Sequence, residues 1–152
     1  MKISDILDKN SIIPDLRSKD KKGVLEELAS SISTRTGTAT QGIVKVLLER
    51  EQLGSTGIGG GIAIPHGKLA DISSIVVGFG LSREGVEFDS LDNRPVHIFF
   101  LLITPANSTG IHLSVLAQIS RLLKQSHFKE NLLKAESAEE IEQIIHSVDE
   151  DF

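Results

Sequence analysis

Apolar residues recur every three or four positions in several segments of the chain, as expected of helices that bury one face. The first helix begins in the lysine-rich segment 19–22 and ends at Thr36-Gly37-Thr38. A second is predicted over about 40–53 and a third over about 111–125, and a last amphipathic helix begins after Ser137. The apolar positions are Val24, Leu25, Leu28, Ala29 and Ile32 in the first helix, Ile43, Val46 and Leu47 in the second, Val115, Leu116, Ile119, Leu122 and Leu123 in the third, and Ile141, Ile144, Ile145 and Val148 in the last.

Hydroxyl side chains mark the predicted starts of these helices, because a serine or threonine oxygen can accept a free amide of the first turn. Thr38 or Thr40 is expected to cap the second helix, and Ser126 a short helix that ends at Leu133. Ser137 and Glu140 have the spacing of a capping box.

Four further segments have the composition of strands. Residues 12–16 contain Pro14, which favours an edge strand or a connector. Residues 74–81 are predicted to form a strand, and 83–88 a turn followed by a short strand. The apolar segment 96–103 is typical of a strand buried on both faces. Strands interspersed with helices, without repeats or a linker, predict a single α/β domain over residues 1–152.

Composition excludes several classes of protein. The 152 residues carry a net charge of −5 with a pI near 5.5, which argues against nucleic-acid binding. There is no cysteine, so disulfides, thiolate metal sites and cysteine nucleophiles are excluded. The acidic N-terminus lacks the apolar core of a signal peptide, and the apolar run 98–103 is too short to cross a bilayer. We therefore expect a cytoplasmic protein without membrane insertion.

A glycine-rich segment, 54–69, is the least ordinary part of the sequence. Five glycines lie between positions 54 and 61, and Ile62-Ala63-Ile64 and Pro65 then lead to His66. Glycines permit a tight backbone path, and Pro65 makes the approach to His66 stiff. Two interpretations remain open: a hairpin turn with an incidental histidine, or a rigid loop that presents a reactive imidazole.

Two other polar residues lie on predicted inward faces. Arg50 is the next position on the apolar stripe of the second helix, and it could instead extend its stem over the edge of the core. His112 shares the inward face of the third helix and falls in its first turn, where free amides favour an anion and a neutral ring. A polar core-edge histidine bonded to a backbone carbonyl is the alternative for His112. His97 is expected to be a hydrogen-bonded core residue, and His127 and His146 are expected to face solvent.

The sequence does not match the known motifs of phosphate-binding loops or of hydrolases. A dinucleotide fingerprint starting at Gly57 or Gly59 would require glycine where Ile62 or Ile64 stands. A P-loop fails because Gly61 and Gly67 are separated by five residues and Leu69 replaces the required hydroxyl. No nucleophile elbow and no histidine spacing of a zinc site occurs. Histidine acting as the nucleophile remains.

The chain strongly resembles the enzyme IIA family of the bacterial phosphotransferase system, in its fructose–mannitol and nitrogen-regulatory branch. The resemblance covers nearly the whole chain. It is carried by Arg50-Glu51, by Gly-Ser-Thr-Gly-Ile-Gly at 54–59, by Ala-Ile-Pro-His-Gly at 63–67, by the segment 95–105 and by His112-Leu113. Pro-His-Gly-Lys-Leu at 65–69, in a chain without a fused transport domain, looks more like the nitrogen-regulatory type.

This resemblance implies a mannitol-IIA-like fold, in which a mixed β-sheet is flanked by helices, and it implies specific roles. His66 would accept a phosphoryl group from the phosphohistidine of an HPr-like carrier protein, and His112 and Arg50 would stabilise that group. Ser55, Thr56 and Gly67 would support it from the loop. The scheme requires no cofactor and no metal.

Three functions follow from these expectations. The first is a regulatory protein whose phosphorylation state controls binding to protein targets such as transporters or kinases. The second is a sugar-specific component that passes the phosphoryl group to a cysteine of a IIB partner during fructose- or mannitol-type uptake. The third is a domain that keeps the fold but only binds partners.

Overall fold

The computed structural model describes residues 1–151, in which helices flank a central sheet. The helices are α1 (Ile3–Ile6), α2 (Lys21–Thr36), α3 (Thr40–Gln52), α4 (Thr109–Leu123), α5 (Phe128–Lys134) and α6 (Ala138–Val148). The strands are β1 (Leu7–Ile13), β2 (Gly57–Gly59), β3 (Ile62–Ala63), β4 (His66–Leu69), β5 (Val76–Val86) and β6 (Val96–Pro105).

Strand β6 organises the sheet. Its neighbour β5 runs antiparallel to it, and β1 continues the sheet beyond β5 as a parallel edge strand. On its other side β6 pairs first with β3 and then with β4, both in parallel. The predicted mixed sheet flanked by helices is therefore confirmed.

Each face of the sheet is covered by its own set of helices. On one face Phe79 and Phe100 pack edge-on against one another, in a core completed by α1, α4, α5 and α6. On the other face Phe88 and Phe99 do the same beneath α2 and α3. Since β6 contributes to both cores, it is buried on both sides, as its unbroken apolar sequence predicts.

Several predicted ends of elements are corrected. Strand β1 begins at Leu7 and ends before Pro14, so it lies at the sheet edge but only partly within the predicted 12–16 segment. Strand β5 continues to Val86, past the predicted turn, but its register with β6 shifts between Leu81 and Val86 and Gly85 has a φ of 88°, so the turn is present as a bulge within the strand. Helix α4 begins two residues earlier than predicted, at Thr109.

Two of the predicted caps are wrong. Helix α3 begins after Ala39 without a side-chain cap, so neither Thr38 nor Thr40 serves. Helix α5 begins after His127, which adopts the left-handed conformation, and Ser126 is not its cap. Ser137 does accept the amide of Glu140, which confirms half of the capping box; the Glu140 carboxylate binds the amide of Glu136 instead of completing the other half.

Helices of residues 1–151 all fall short of the length and apolar character needed to cross a bilayer.

Candidate functional site

The glycine-rich segment folds as a short hairpin followed by a strand. Strands β2 and β3 pair in antiparallel fashion, and the turn between them places Gly59, Gly60 and Gly61 at φ values of 97°, 67° and 79°. Three consecutive left-handed residues are accessible only to glycine without strain. The chain then passes through Ile64 and Pro65 into β4, whose first residue is His66, paired with Leu102 of β6. The segment therefore contains a hairpin, and His66 follows it on β4, beside the central strand β6.

Two hydrogen bonds hold the half-buried imidazole of His66. Its Nδ1 lies 2.8 Å from the carbonyl oxygen of Ile64, and its Nε2 lies 3.2 Å from Nε of Arg50. A carbonyl can only accept and the guanidinium can only donate, so the proton resides on Nδ1, and the lone pair of the unprotonated Nε2 accepts from Arg50. Burial lowers the pKa of His66, and the positive charge of Arg50 lowers it further. The hydrogen bond to the Ile64 carbonyl favours the charged ring and offsets part of this effect. The neutral, nucleophilic form therefore predominates at pH 7.

Arg50 reaches His66 from the last turn of α3. Its Nη1 also donates to the carbonyl oxygen of Gly54 at 2.8 Å, so the guanidinium is held between the helix end and the glycine segment. The buried stripe of α3 continues into Glu51 and not into Arg50, which corrects the predicted core position of the arginine. Arg50 lies on the flank of the helix, beside Val46, and this flank faces His66.

His112 is only 6% exposed and meets His66 from the first turn of α4. The ring centroids are 5.3 Å apart with an interplanar angle of 65°. Nδ1 of His112 lies 2.7 Å from Oγ1 of Thr104, so the ring's polar partner is a threonine hydroxyl and not the backbone carbonyl considered from the sequence. Burial lowers the pKa of His112 from 6.5 to about 4, with smaller contributions from His66 and Lys68. The predicted inward orientation of His112 is confirmed, and burial favours its neutral form.

Arg50, His66 and His112 line one open cleft of about 430 Å³. The cleft also contains Lys68, which the sequence interpretation missed although it lies two residues after His66 and therefore on the same side of β4. Lys68 donates to Oγ1 of Thr109 at 3.0 Å across the cleft. The remaining residues that line the cleft are Val46, Glu49, Leu53, Gly67, Thr109 and Leu113.

Ser55 and Thr56 lie away from this cleft. The Ser55 hydroxyl donates to the carbonyl oxygen of Phe88 at 2.9 Å, and the buried Thr56 hydroxyl donates to the carboxylate of Glu51. With both hydroxyls occupied elsewhere, the structure disfavours the direct phosphate contacts expected of them. Gly67 does line the cleft, but through its backbone.

Comparison with known proteins gives the chain a family. The family model described as "Phosphoenolpyruvate-dependent sugar phosphotransferase system, EIIA 2" matches residues 5–148. The chain belongs to this EIIA 2 family.

Relatives of this EIIA 2 domain carry two kinds of name. A nitrogen regulatory protein of Bradyrhizobium diazoefficiens is 37% identical over 145 residues, which are 95% of this chain and 95% of that protein. The fructose-specific EIIABC component of Bacillus subtilis is 37% identical over 151 residues, which are 98% of this chain but only 24% of that protein. The crystal structure of the nitrogen regulatory protein IIA-Ntr from Neisseria meningitidis superposes with a TM-score of 0.88 at 36% identity, covering 94% of this chain and 98% of that one.

The other histidines of the EIIA 2 domain lie outside the cleft. Nδ1 of His97 lies 2.9 Å from the carbonyl oxygen of Ser82, which confirms the predicted hydrogen bond, but the ring is only half-buried and does not belong to the core. His127 and His146 are exposed, as predicted. Within residues 1–151, no three histidine or carboxylate side chains are grouped so that they could hold a metal ion.

Gly67 determines how closely α3 packs on β4. A Cβ at this position would lie 2.5 Å from Cγ1 of Val46, a stiff β-branched side chain. We expect Gly67→Ala to destabilise the EIIA 2 domain by about 1–3 kcal/mol, since overpacking must push the helix outward. In a double-mutant cycle measured by urea unfolding, Val46→Ala should restore part of that loss. Additive effects would contradict this packing account.

The low pKa of His112 should make stability depend on pH. Between its ordinary value of 6.5 and its folded value of about 4, the unfolded chain binds more protons than the folded one. The free energy of unfolding should therefore fall as the pH falls through this range, by about 3 kcal/mol from His112 alone. Urea unfolding at a series of pH values should show a shallower slope for His112→Asn, and an unchanged slope would refute the assignment.

Proposed function

We propose that this protein is a phosphocarrier of a phosphoenolpyruvate-dependent phosphotransferase system, in which Nε2 of His66 accepts a phosphoryl group from the phosphohistidine of an HPr-like carrier. The observation that carries the proposal is the unprotonated Nε2 of a neutral imidazole at an open cleft, with Nε of Arg50 3.2 Å away and the ring of His112 beside it. Membership of the EIIA 2 family supports the same chemistry.

The transfer itself is a direct exchange between two imidazoles. The lone pair of His66 Nε2 forms a bond to phosphorus while the P–N bond of the donor breaks, and the donor ring retains that electron pair. The positive charge of the phosphorylated ring moves with the phosphoryl group from the donor to His66. Because Nδ1 keeps its proton, its hydrogen bond to the Ile64 carbonyl stabilises the newly charged ring.

Three cationic or polar side chains would receive the phosphoryl oxygens. Arg50 must release Nε2 as phosphorus approaches, and its N–H groups are then free to bind the incoming oxygens. His112 would offer Nε2–H from the other side in the tautomer in which its Nδ1 accepts from the Thr104 hydroxyl. Lys68 adds a second positive charge at the entrance of the cleft. Such preorganised donors act mainly by stabilising charge in the transition state.

The surroundings of the cleft favour a protein as donor. Leu53 and Leu113 line its two sides and are 85% and 60% exposed. Exposed leucines beside a reactive group are typical of a surface that another protein covers. The proposed scheme needs no metal and no organic cofactor.

We favour a regulatory role in which the phosphorylation state of His66 controls binding to target proteins, because the relatives matched over nearly their whole length include a nitrogen regulatory protein. The alternative, transfer to a cysteine of a IIB partner for fructose-type uptake, is supported by the fructose-specific relative. Genes for IIB and IIC components beside this one would favour uptake.

The phosphocarrier proposal is tested by incubating the protein with labelled phosphoenolpyruvate, enzyme I and an HPr-like carrier. A phosphohistidine is labile in acid and stable in alkali, so the label should be lost at low pH and should map to the peptide that contains His66. Omission of the carrier should prevent labelling. A protein that remains unlabelled with the complete system would instead be a partner-binding domain.

A further inference from the structure

Glu51 is a buried carboxylate that lies next to Arg50 in α3 but outside the cleft. It is 8% exposed and occupies the last position of the buried stripe of its helix. Burying a carboxylate is unfavourable unless its oxygens are bonded, so the partners of Glu51 indicate what it does.

Those partners belong to the glycine-rich segment and to α2. Thr56 donates both its backbone N–H, at 3.1 Å, and its hydroxyl to the carboxylate, and Lys21 forms an ion pair with it at 3.0 Å. Two donors from one residue fix both the position and the rotation of Thr56 more firmly than one would. Hydrogen bonds to an ionised acceptor are also stronger than neutral ones.

From Thr56 a chain of hydrogen bonds leads directly to the proposed nucleophile. The Thr56 carbonyl accepts the N–H of Ile64 at 3.0 Å, and the Ile64 carbonyl accepts Nδ1–H of His66 at 2.8 Å. The same carbonyl of Ile64 holds the ring proton on Nδ1, so Nε2 is unprotonated.

We propose that Glu51 is a positioning residue for His66, which it holds in the Nδ1–H tautomer through Thr56 and Ile64. The inference rests on the proposed function, in which Nε2 is the nucleophile. Thr56 then connects Glu51 to Ile64 and does not touch the phosphoryl group, in contrast to the support that the family resemblance implies for it.

The neighbouring Arg50 makes the arrangement a rigid one. Arg50 binds the carbonyl of Gly54 while Glu51 binds Thr56, so consecutive residues of α3 hold the glycine-rich segment at two points. The helix end and the segment therefore move together. When the second point is lost, the Ile64 carbonyl can shift, and the ring of His66 can take the other tautomer, whose protonated Nε2 cannot attack phosphorus.

The proposal is tested on the full chain with Glu51→Ala, Glu51→Gln and Thr56→Val. In protein labelled with ¹⁵N-histidine, two-bond proton–nitrogen correlations report directly which ring nitrogen of His66 carries the proton. We expect the Nδ1–H tautomer to dominate in the wild type and to decline in the order Thr56→Val, Glu51→Gln, Glu51→Ala. The rate of phosphoryl transfer at saturating carrier should fall in parallel, by roughly tenfold for Glu51→Ala, while the KM for the carrier stays unchanged.

Glu27 offers a matched control. Its carboxylate also accepts backbone N–H groups of a connecting segment, those of Arg17 and Ser18. Glu27 lies in α2, however, and takes no part in the hydrogen bonds that lead to His66. Glu27→Ala should change the unfolding midpoint and leave both the tautomer and the transfer rate at their wild-type values. Thr56→Ser, which keeps both donors, should behave as the wild type.

Different results overturn different claims. If the folded variants lose rate without a change of tautomer, or keep both, Glu51 does not position the ring. Should Glu51→Ala fail to fold, Glu51→Gln and Thr56→Val decide by the same two readouts. If the wild type is never phosphorylated, the proposed function fails, whereas the tautomer series still tests Glu51.

Discussion

Replacement of His66 by alanine is expected to reduce phosphoryl incorporation to background. The nucleophilic lone pair of Nε2 is removed. Among residues 1–151, the only other histidine that lines the cleft is His112, whose Nδ1 contacts Thr104 and whose ring is almost fully buried. The loss should therefore be complete and not merely a slower reaction. Labelling with phosphoenolpyruvate, enzyme I and an HPr-like carrier, followed over time, provides the measurement.

His146→Ala is the matched control for this experiment, because it makes the same substitution at an exposed site on α6. It should be labelled at the wild-type rate. Circular dichroism should show that His66→Ala retains the fold, since His66 is only half-buried at the start of a strand. Incorporation at the wild-type level in His66→Ala would show that the phosphoryl group goes elsewhere, and the proposed function would have to be abandoned.

Removal of the Arg50 side chain should have the second-largest effect. We expect Arg50→Ala to slow phosphoryl transfer by about a hundredfold, which is typical of losing one preorganised donor to a developing charge. The same substitution should raise the pKa of His66, because the arginine's charge now helps to lower it. Single-turnover transfer and an NMR pH titration of His66 measure the two consequences separately.

Arg50→Lys separates charge from geometry. A lysine keeps the positive charge but cannot contact both His66 Nε2 and the Gly54 carbonyl as the guanidinium does, so an intermediate rate is expected. Arg94→Ala, at an exposed loop position, should leave transfer unchanged. If Arg50→Ala transferred as fast as the wild type, its part in the site would be refuted.

Residues that bury a regular stripe were predictable from sequence, and the helices that carry Arg50 and His112 followed from such stripes. Where local preference and sheet pairing compete, the sequence predicts only part of the outcome: Arg83-Glu84-Gly85 looks like a turn and does bulge, but pairing with β6 at Leu81 and Val86 makes it part of β5. The caps of α3 and α5 failed because a hydroxyl near a helix start shows only that a cap is available, not that it is used.

Side-chain partners that are distant in sequence were beyond prediction. Thr56 looked like a phosphate contact because it stands in the glycine-rich segment, but its hydroxyl is taken by the buried Glu51. Thr104, which contacts His112, gave no signal because it follows the apolar segment 96–103 and looks like a loop threonine, although it lies within β6. Lys68 was the exception, since the two-residue period of a strand would have revealed it.

Strand β6 also determines which parts of the protein are free to change in evolution. His66 is paired with Leu102, and two residues further along the same strand Thr104 holds His112, so the spacing of the two rings is set by a three-residue stretch of β6. Substitutions in α5 or α6 leave that spacing intact. A single insertion between Leu102 and Thr104 would turn Thr104 to the opposite face of the sheet and separate the histidines. Related chains should therefore show no change of length within this stretch.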